Sequence, residues 1–285
     1  MVIAPQFWQA MMRQTQDLLT VHTSIPAEVH YLADTRRWMM IQMALALHFD
    51  HSLSPSNPAP SPKSLTTALA ESRIVSRNTV QAFLRELTRV KFIEASAPNA
   101  IRQRVTRASA KSERLMRVYL DIHLRALDTI DGSHRSAFLQ QNPDFLGYLQ
   151  PTFAKRICRS VAWYSPPEAI QCFTNSASGS SILHELVLST RSHQPSEDGR
   201  LWIGAFSARS LAARYQVSPA HIARLLTRAC ALGAIGWSRP MRRGECWLNA
   251  QLAQDYLLWQ AEKLAALSSA FDTEKASFLP PAQLT

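Results

Sequence analysis

Cysteine is scarce in this chain: Cys158, Cys172, Cys230 and Cys246 are the four thiols in 285 residues, and no two stand in a Cys-x-x-Cys spacing. A disulfide-stapled scaffold is thereby excluded, and the thiols are expected to be reduced, mostly buried and in a cytoplasmic setting. There is no run of about 18 apolar residues, so no membrane span is expected. The opening MVIAPQFWQAMMRQTQDLL lacks the basic start, apolar core and small-residue cleavage site of a secretory leader. Catalytic signatures are missing as well. His48 and His51 form an HxxH, but a proline-rich loop follows and no cysteine or acid is spaced to complete a metal set. His184-Glu185 lacks the second histidine of HExxH, and residues 176–181 (SASGSS) match neither GxSxG nor a phosphate-binding loop. That stretch reads as a turn leading into a helix. No enzyme, cofactor or metal is expected.

Acid is the charge in short supply. The 21 Asp and Glu residues face 31 Lys and Arg, for a net charge of +10, a balance that favours a polyanionic partner. With 46% apolar and 18% charged residues, this is the composition of a folded, soluble protein whose length suits one large core or two of ordinary size.

What is present centres on residues 64–106. A short helix is expected from Ser64 to about Glu71, with Leu65, Ala68 and Leu69 inward, followed by a tight turn over 72–75. Ser76 is placed to cap a second helix, its hydroxyl accepting a free backbone N–H of the first turn. Along that helix Val80, Phe83, Leu84, Leu87 and Val90 recur at i, i+3, i+4, i+7 and i+10, which is one apolar face. The opposite face carries Arg77, Asn78, Gln81 and Arg85, side chains of the kind that reach base edges in a major groove. Ser76 and Thr79 stand at the helix N-terminus, a position suited to a phosphate. Residues 92–95 read as a strand, 98–100 as a turn and 101–106 (IRQRVT) as the returning strand. Arg102, Arg104 and Arg107 line this hairpin with no acid over 99–107, which suits phosphates or a narrow minor groove.

Around this block, residues 5–20 are expected to form a helix with Phe7, Met11, Leu18 and Leu19 on its apolar side. Ser24 and Pro26 are expected to open another segment, and 35–49 to form a buried helix. The four prolines of SLSPSNPAPSPKS forbid regular structure there. Residues 111–130 read as a helix striped by Leu115, Val118, Tyr119, Ile122, Leu127 and Ile130, and the tail from Asp272 as mobile.

The second half repeats the plan. A shift of 142 sets Leu69, Ala70, Val75, Ser76, Leu84 and Ile93 on Leu211, Ala212, Val217, Ser218, Leu226 and Ile235, with no gap across both helices. Val80 and Phe83 fall on Ile222 and Leu225. Upstream, SPPEAI at Ser165 echoes SIPAEV at Ser24; downstream, Leu115, Tyr119, Leu120 and Leu127 match Leu252, Tyr256, Leu257 and Leu264 at a shift of 137. The second copy differs on its outer face, where Pro219, Ala220, Ala223 and Thr227 stand for Arg77, Asn78, Gln81 and Arg85. Its polar candidates are Ser218, His221, Arg224 and Arg228, fewer bidentate readers than in the first copy. Its hairpin (SRPMRR, 238–243) again carries arginine without acid: Arg239, Arg242 and Arg243, with Gly244 permitting the turn.

Two helices, a two-stranded hairpin and an arginine-lined tip, in that order, resemble the winged helix-turn-helix regulators of bacteria, most nearly the MarR family. The resemblance implies a mainly α fold with small β-hairpin wings, two tandem units at 1–135 and 138–271, and a single-chain pseudo-dimer, monomeric or a homodimer. The helices over 5–20, 111–130 and 251–269 would pack the units together. The implied partner is double-stranded DNA, bound sequence-specifically by a transcriptional regulator whose recognition helices enter major grooves about one helical turn apart, ~34 Å. Because the halves differ, the site is expected to be asymmetric. The resemblance also implies a small-molecule effector pocket between helices, for which Trp38, Trp163, Tyr164, Trp202, Trp237 and Trp259 are candidates, although such residues read more simply as core. Plasmid replication initiators also carry two winged-helix domains in one chain, and a protein-interaction scaffold of winged helices is a third alternative.

Overall fold

The computed structural model describes residues 4–25, 34–72, 75–95 and 105–279. In chain order its elements are α1 (Pro5–Ser24), α2 (Thr35–Leu53), α3 (Pro62–Ala68), α4 (Arg77–Arg89), β1 (Ile93–Ala95), β2 (Thr106–Ala108), α5 (Ala110–Asp131), α6 (Arg135–Gln141), α7 (Leu146–Arg159), α8 (Val161–Tyr164), α9 (Glu168–Thr174), α10 (Gly179–Leu188), β3 (Arg200–Gly204), α11 (Ala208–Arg214), α12 (Pro219–Ala231), β4 (Ile235–Arg239), β5 (Arg243–Asn249) and α13 (Ala250–Phe278). The described chain is thus mainly helical with two small antiparallel sheets, one of order β1-β2 and one of order β3-β5-β4. None of its helices is long and apolar enough to cross a membrane. It gathers into two compact units, Arg36–Tyr164 with Glu262–Thr285 (the earlier unit) and Met1–Thr35 with Ser165–Ala261 (the later unit). This grouping cuts across the contiguous halves 1–135 and 138–271.

In the later unit, α1 buries Ala10, Met11, Gln14, Thr15, Leu19 and His22, so the inward face is rotated from the expected one and is half polar. Each polar member makes a side-chain bond. Thr15 Oγ1 meets the Tyr256 hydroxyl at 2.9 Å, His22 Nδ1 meets Ser181 Oγ at 2.6 Å, and Gln14 Nε2 donates to Gln260 Oε1 at 3.4 Å. The Tyr256 hydroxyl also bonds His184 Nδ1 at 2.7 Å. Leaving such a group buried and unpaired costs about 1–3 kcal/mol, so these pairs specify what α1 can pack against. Ser24 ends α1, donating to the Val21 carbonyl at 2.8 Å, instead of opening a segment; Pro26 lies outside the described residues.

The two helix–helix–hairpin segments share their joints. Ser76 Oγ accepts the Thr79 amide at 3.2 Å and Ser218 Oγ the His221 amide at 3.1 Å, the expected caps. At the far end the Phe92 amide donates to the Leu87 carbonyl at 2.9 Å and Ala234 to Ala229 at 3.0 Å. Both corners pass through a left-handed residue, Lys91 at φ 59° and Gly233 at φ 65°, the geometry that satisfies the last carbonyls of a helix.

The first helices correspond differently. α3 starts at Pro62, where Ser61 Oγ accepts the Ser64 amide at 3.1 Å, and ends at Ala68 instead of Glu71. Its counterpart α11 is capped by Ser207 from Ser210, a shift of 146 and not 142. In the first copy the helical run stops at Ala68 and resumes at Arg77, with 73–74 outside the described residues, and in the second it stops at Arg214 and resumes at Pro219, so the ungapped match does not hold from the first helix to the second. Of the returning strand expected over 101–106, residues 101–104 lie outside the described residues, as does the expected turn at 98–100; the described part pairs Thr106–Ala108 with β1.

The strand β3, not foreseen from sequence, pairs Leu201 and Trp202 with Leu248 and Trp247. In the earlier unit the corresponding place beside β2 is taken by Pro60, whose carbonyl accepts the Thr106 amide at 2.9 Å. Proline has no N–H to return, and among the described residues no third strand pairs with β2.

Two further expectations change. The buried face of α5 holds the expected Ile122 and Leu127 together with Met116, Leu120 and Leu124, while Val118 is 43% exposed. The tail from Asp272 stays helical to Phe278, whose ring lies 5.2 Å from Phe145 and 5.4 Å from Tyr148. On the same helix Lys263 is buried, with Nζ 5.3 Å from the Trp163 ring and 5.7 Å from Tyr119. Trp163 also packs on Trp38, 5.0 Å between ring centroids.

Two stability predictions follow from this packing. Lys91→Gly relieves a left-handed conformation that side chains disfavour and is expected to stabilise by roughly 1 kcal/mol in urea unfolding; an unchanged or lower midpoint refutes the corner's role. Burial pulls the Lys263 amine down to about 7. The unfolded state therefore binds more protons between pH 7 and 9, so stability rises with pH there by up to about 1.4 kcal/mol per pH unit. In Lys263→Met that rise should vanish, and a parallel pH profile for the two proteins would show that the amine is not desolvated.

Candidate nucleic-acid interface

Burial sets which side chains α4 presents. Val80, Phe83, Leu84 and Leu87 are buried, which turns Arg77, Asn78, Thr79 and Arg85 to solvent and leaves Gln81 half-buried. The one acid of the helix, Glu86, is drawn to Arg37 at 3.5 Å. Arg77, Asn78 and Arg85 make no hydrogen bond or ion pair with the described residues. Ser76 Oγ is committed to its cap, so a phosphate at this end would meet the backbone amides and not the hydroxyl. The expected reader set on α4 is therefore gathered on one open face.

The matching face of α12 is sparser. Ile222, Leu225, Leu226 and Ala229 are buried, and Arg224 and Arg228 stand exposed. Ser218 is again spent on capping. His221 turns back to the loop before α10, its Nε2 3.1 Å from the Ala177 carbonyl, which removes it from the expected set of outward readers.

The hairpins differ from expectation too. In the first, Arg107 lies opposite Glu94 in the β1–β2 register, and its Nε donates to Glu94 Oε1 at 3.0 Å. It is therefore neutralised by an acid just upstream of the stretch read as acid-free. Arg102 and Arg104 lie outside the described residues. In the second hairpin Arg239 and Arg243 face each other across β4 and β5, both exposed and with no acid between them. Its one acid, Glu245, is bound by Arg191 at 2.5 Å. The tip turns through Met241 and Arg242 at φ 57° and 58°, with Gly244 at φ 78° on the returning strand, so the turn itself is made by two residues with side chains.

Arg242 does not extend from that tip. Its Nη2 donates to the Ala223 carbonyl at 3.1 Å and to the Thr227 hydroxyl, laying the guanidinium on α12. Between α12 and β4–β5 runs an open groove of about 510 Å³ lined by Thr227, Cys230, Trp237, Trp247 and Arg242 among others. Trp247 reaches it across Gly236, where a Cβ would stand 2.2 Å from the indole. Of the aromatic residues considered for an effector pocket, Trp163 and Trp259 are buried core, Trp202 is paired in β3 and Trp237 packs on Phe206 at 5.5 Å.

Other chemistry is dispersed. His48 pairs with Glu113 at 3.1 Å and His51 with the Asn57 carbonyl at 2.7 Å, so the HxxH histidines serve separate partners. No group of three His, Cys, Asp or Glu able to hold a metal occurs among the described residues. The cysteines are unpaired, and burial pushes the Cys158 and Cys246 thiols up to about 12.

Hairpin neutralisation can be tested directly. Glu94→Gln frees the Arg107 guanidinium and is expected to raise affinity for duplex DNA at low salt, steepening the salt slope by about one phosphate contact. A slope unchanged from wild type would place Arg107 away from any polyanion. Compared with known proteins, the chain matches no family model, no curated protein and no solved structure.

Proposed function

We propose that this chain is a sequence-specific double-stranded DNA-binding protein, a transcriptional regulator built from two winged helix-turn-helix modules in one chain. The observation that carries the reading is the repeated presentation of a Ser-capped helix whose apolar face is buried and whose open face bears arginine without acid. Each such helix passes through the same left-handed corner into an antiparallel hairpin. Helix, corner and hairpin in that order are the parts of a winged helix.

The α4 face suits base reading. Arg85 and Arg77 carry the fork that fits guanine O6 and N7, and Asn78 and Gln81 the amide that fits adenine N6 and N7. Arg239 and Arg243 suit the phosphates, where each neutralised charge adds about 0.9 to the salt slope. The unlike faces of α4 and α12 favour an asymmetric target over a palindrome.

The decisive experiment is selection from randomised duplex DNA, followed by affinity against salt. One asymmetric motif of roughly 15–20 base pairs is expected. Arg85→Ala should weaken binding to that motif by roughly 1–3 kcal/mol while relaxing preference at one position. Absence of salt-sensitive duplex binding would sink the proposal, and a motif of two equal inverted halves would sink its asymmetry.

A further inference from the structure

The two second helices differ most where a side chain of the later hairpin comes to rest. Gln81 and Arg85 of α4 correspond, at a shift of 142, to Ala223 and Thr227 of α12. Those are the two residues that Arg242 grips. Its Nη2 donates to the Ala223 carbonyl at 3.1 Å and to the Thr227 hydroxyl, which itself donates to the same carbonyl at 2.8 Å. A guanidinium from the hairpin thus covers the helix positions that, in the first copy, bear a glutamine and an arginine of their own.

The backbone is shaped for this. Met241 and Arg242 both hold positive φ, at 57° and 58°, a conformation disfavoured for residues with a Cβ, and the tip they form folds over α12. Met241, beside it, is 84% exposed. The N–H groups on Nε and Nη1 of Arg242 make no hydrogen bond with the described residues, so they stay free for an acceptor in front of the helix. An arginine held at one nitrogen has already lost much of its rotamer freedom, which lowers the entropic cost of a directional contact. A phosphate contact needs no such anchoring, since a mobile charge serves it as well.

We propose that Arg242 is a base-reading residue of α12 and not a phosphate clamp: the hairpin supplies, over Ala223 and Thr227, the arginine that this helix lacks. With Nη2, which both forks of the guanidinium share, held by the helix, the contact it suits is a single hydrogen bond from Nη1 or Nε to a base-edge acceptor in the major groove such as guanine O6 or N7. The inference rests on the proposed reading of the chain as a duplex DNA reader, and it divides the hairpin's arginines into one reader, Arg242, and two backbone contacts, Arg239 and Arg243.

The test uses the full chain and the duplex selected by the wild-type protein. Every single-base substitution of that duplex is titrated against wild type, Arg242→Ala, Arg242→Lys, Thr227→Val and the double variant Arg242→Ala/Thr227→Arg. Arg242→Ala is expected to lose preference for guanine at one position of the α12 half-site by about tenfold or more, with the α4 half-site unchanged. Arg242→Lys should lose it too, although the charge remains. Thr227→Val, which removes the anchoring hydroxyl and leaves Arg242 in place, should blunt the same position. The double variant should regain it, because Thr227→Arg restores the arrangement of α4. If instead Arg242→Ala weakens every duplex equally, lowers the salt slope by about one and is rescued by Arg242→Lys, Arg242 holds a phosphate and the inference is overturned while the DNA reading stands. A wild-type protein that selects no duplex overturns both.

Discussion

Exclusion of one apolar face of each second helix from water is the constraint on which the rest of this structure depends. In α4 that face is Val80, Phe83, Leu84 and Leu87, and in α12 it is Ile222, Leu225, Leu226 and Ala229. Full burial of a side chain of the larger kind contributes about 1.5–3 kcal/mol. An exposed ion pair on the outer face contributes ~0–1 kcal/mol. The rotation of each helix is therefore decided from inside, and the outward display of Arg77, Asn78 and Arg85, or of Arg224 and Arg228, is its consequence. No contact among the outer residues is required to hold them there, which leaves them free for a partner.

The corner after each helix converts that rotation into a fixed relation between helix and hairpin. Phe92 and Ala234 bond back to carbonyls five residues earlier, so each hairpin starts at a defined point and direction on its helix. Strand supply then differs between the copies. The later hairpin gains β3 and becomes a three-stranded sheet, whereas in the earlier unit the place beside β2 is held by the Pro60 carbonyl, which accepts from the Thr106 amide and hydroxyl. The wider sheet sets Trp202 opposite Trp247, and its β4 edge carries Trp237 opposite Cys246. The narrower hairpin is stapled across its strands by Glu94 and Arg107.

Features decided within one helical turn were legible in the sequence. Ser76 and Ser218 cap as expected because a cap needs only a hydroxyl three residues before an amide, and the apolar periods of α4 and α12 placed their buried faces correctly. The misses involve partners far along the chain. β3 is five residues long and owes its existence to β5, which no local pattern in RLWIG announces. The buried face of α1 was misplaced because periodicity counts apolar residues, while Gln14, Thr15 and His22 are buried by matching Gln260, Tyr256 and Ser181. The four-residue difference in the helix-to-helix turn was hidden by chance leucine and alanine matches at Leu69 and Ala70. At the candidate site, the open face of α4 could be read from sequence. The neutralisation of Arg107 and the return of Arg242 to α12 depend on strand register and on a tip made of two left-handed residues, neither of which spacing encodes.

The arginines of the later hairpin set folding against binding. Arg239 and Arg243 are directly opposite in register, and like charges so placed destabilise a strand pair by some tenths of a kcal/mol to about 1 kcal/mol. With Arg242 drawn onto α12, two charges and not three remain to repel at the ladder's end. A polyanion laid across the tip would turn that repulsion into attraction. Salt acts on both terms. At 0.1 M the screening length is about 10 Å, so added salt relieves the repulsion in the free protein and weakens the attraction in a complex. The hairpin is thus most strained in the low-salt conditions under which a polyanion would bind it most tightly, and part of any binding free energy at the tip is relief of a charge conflict already present in the fold.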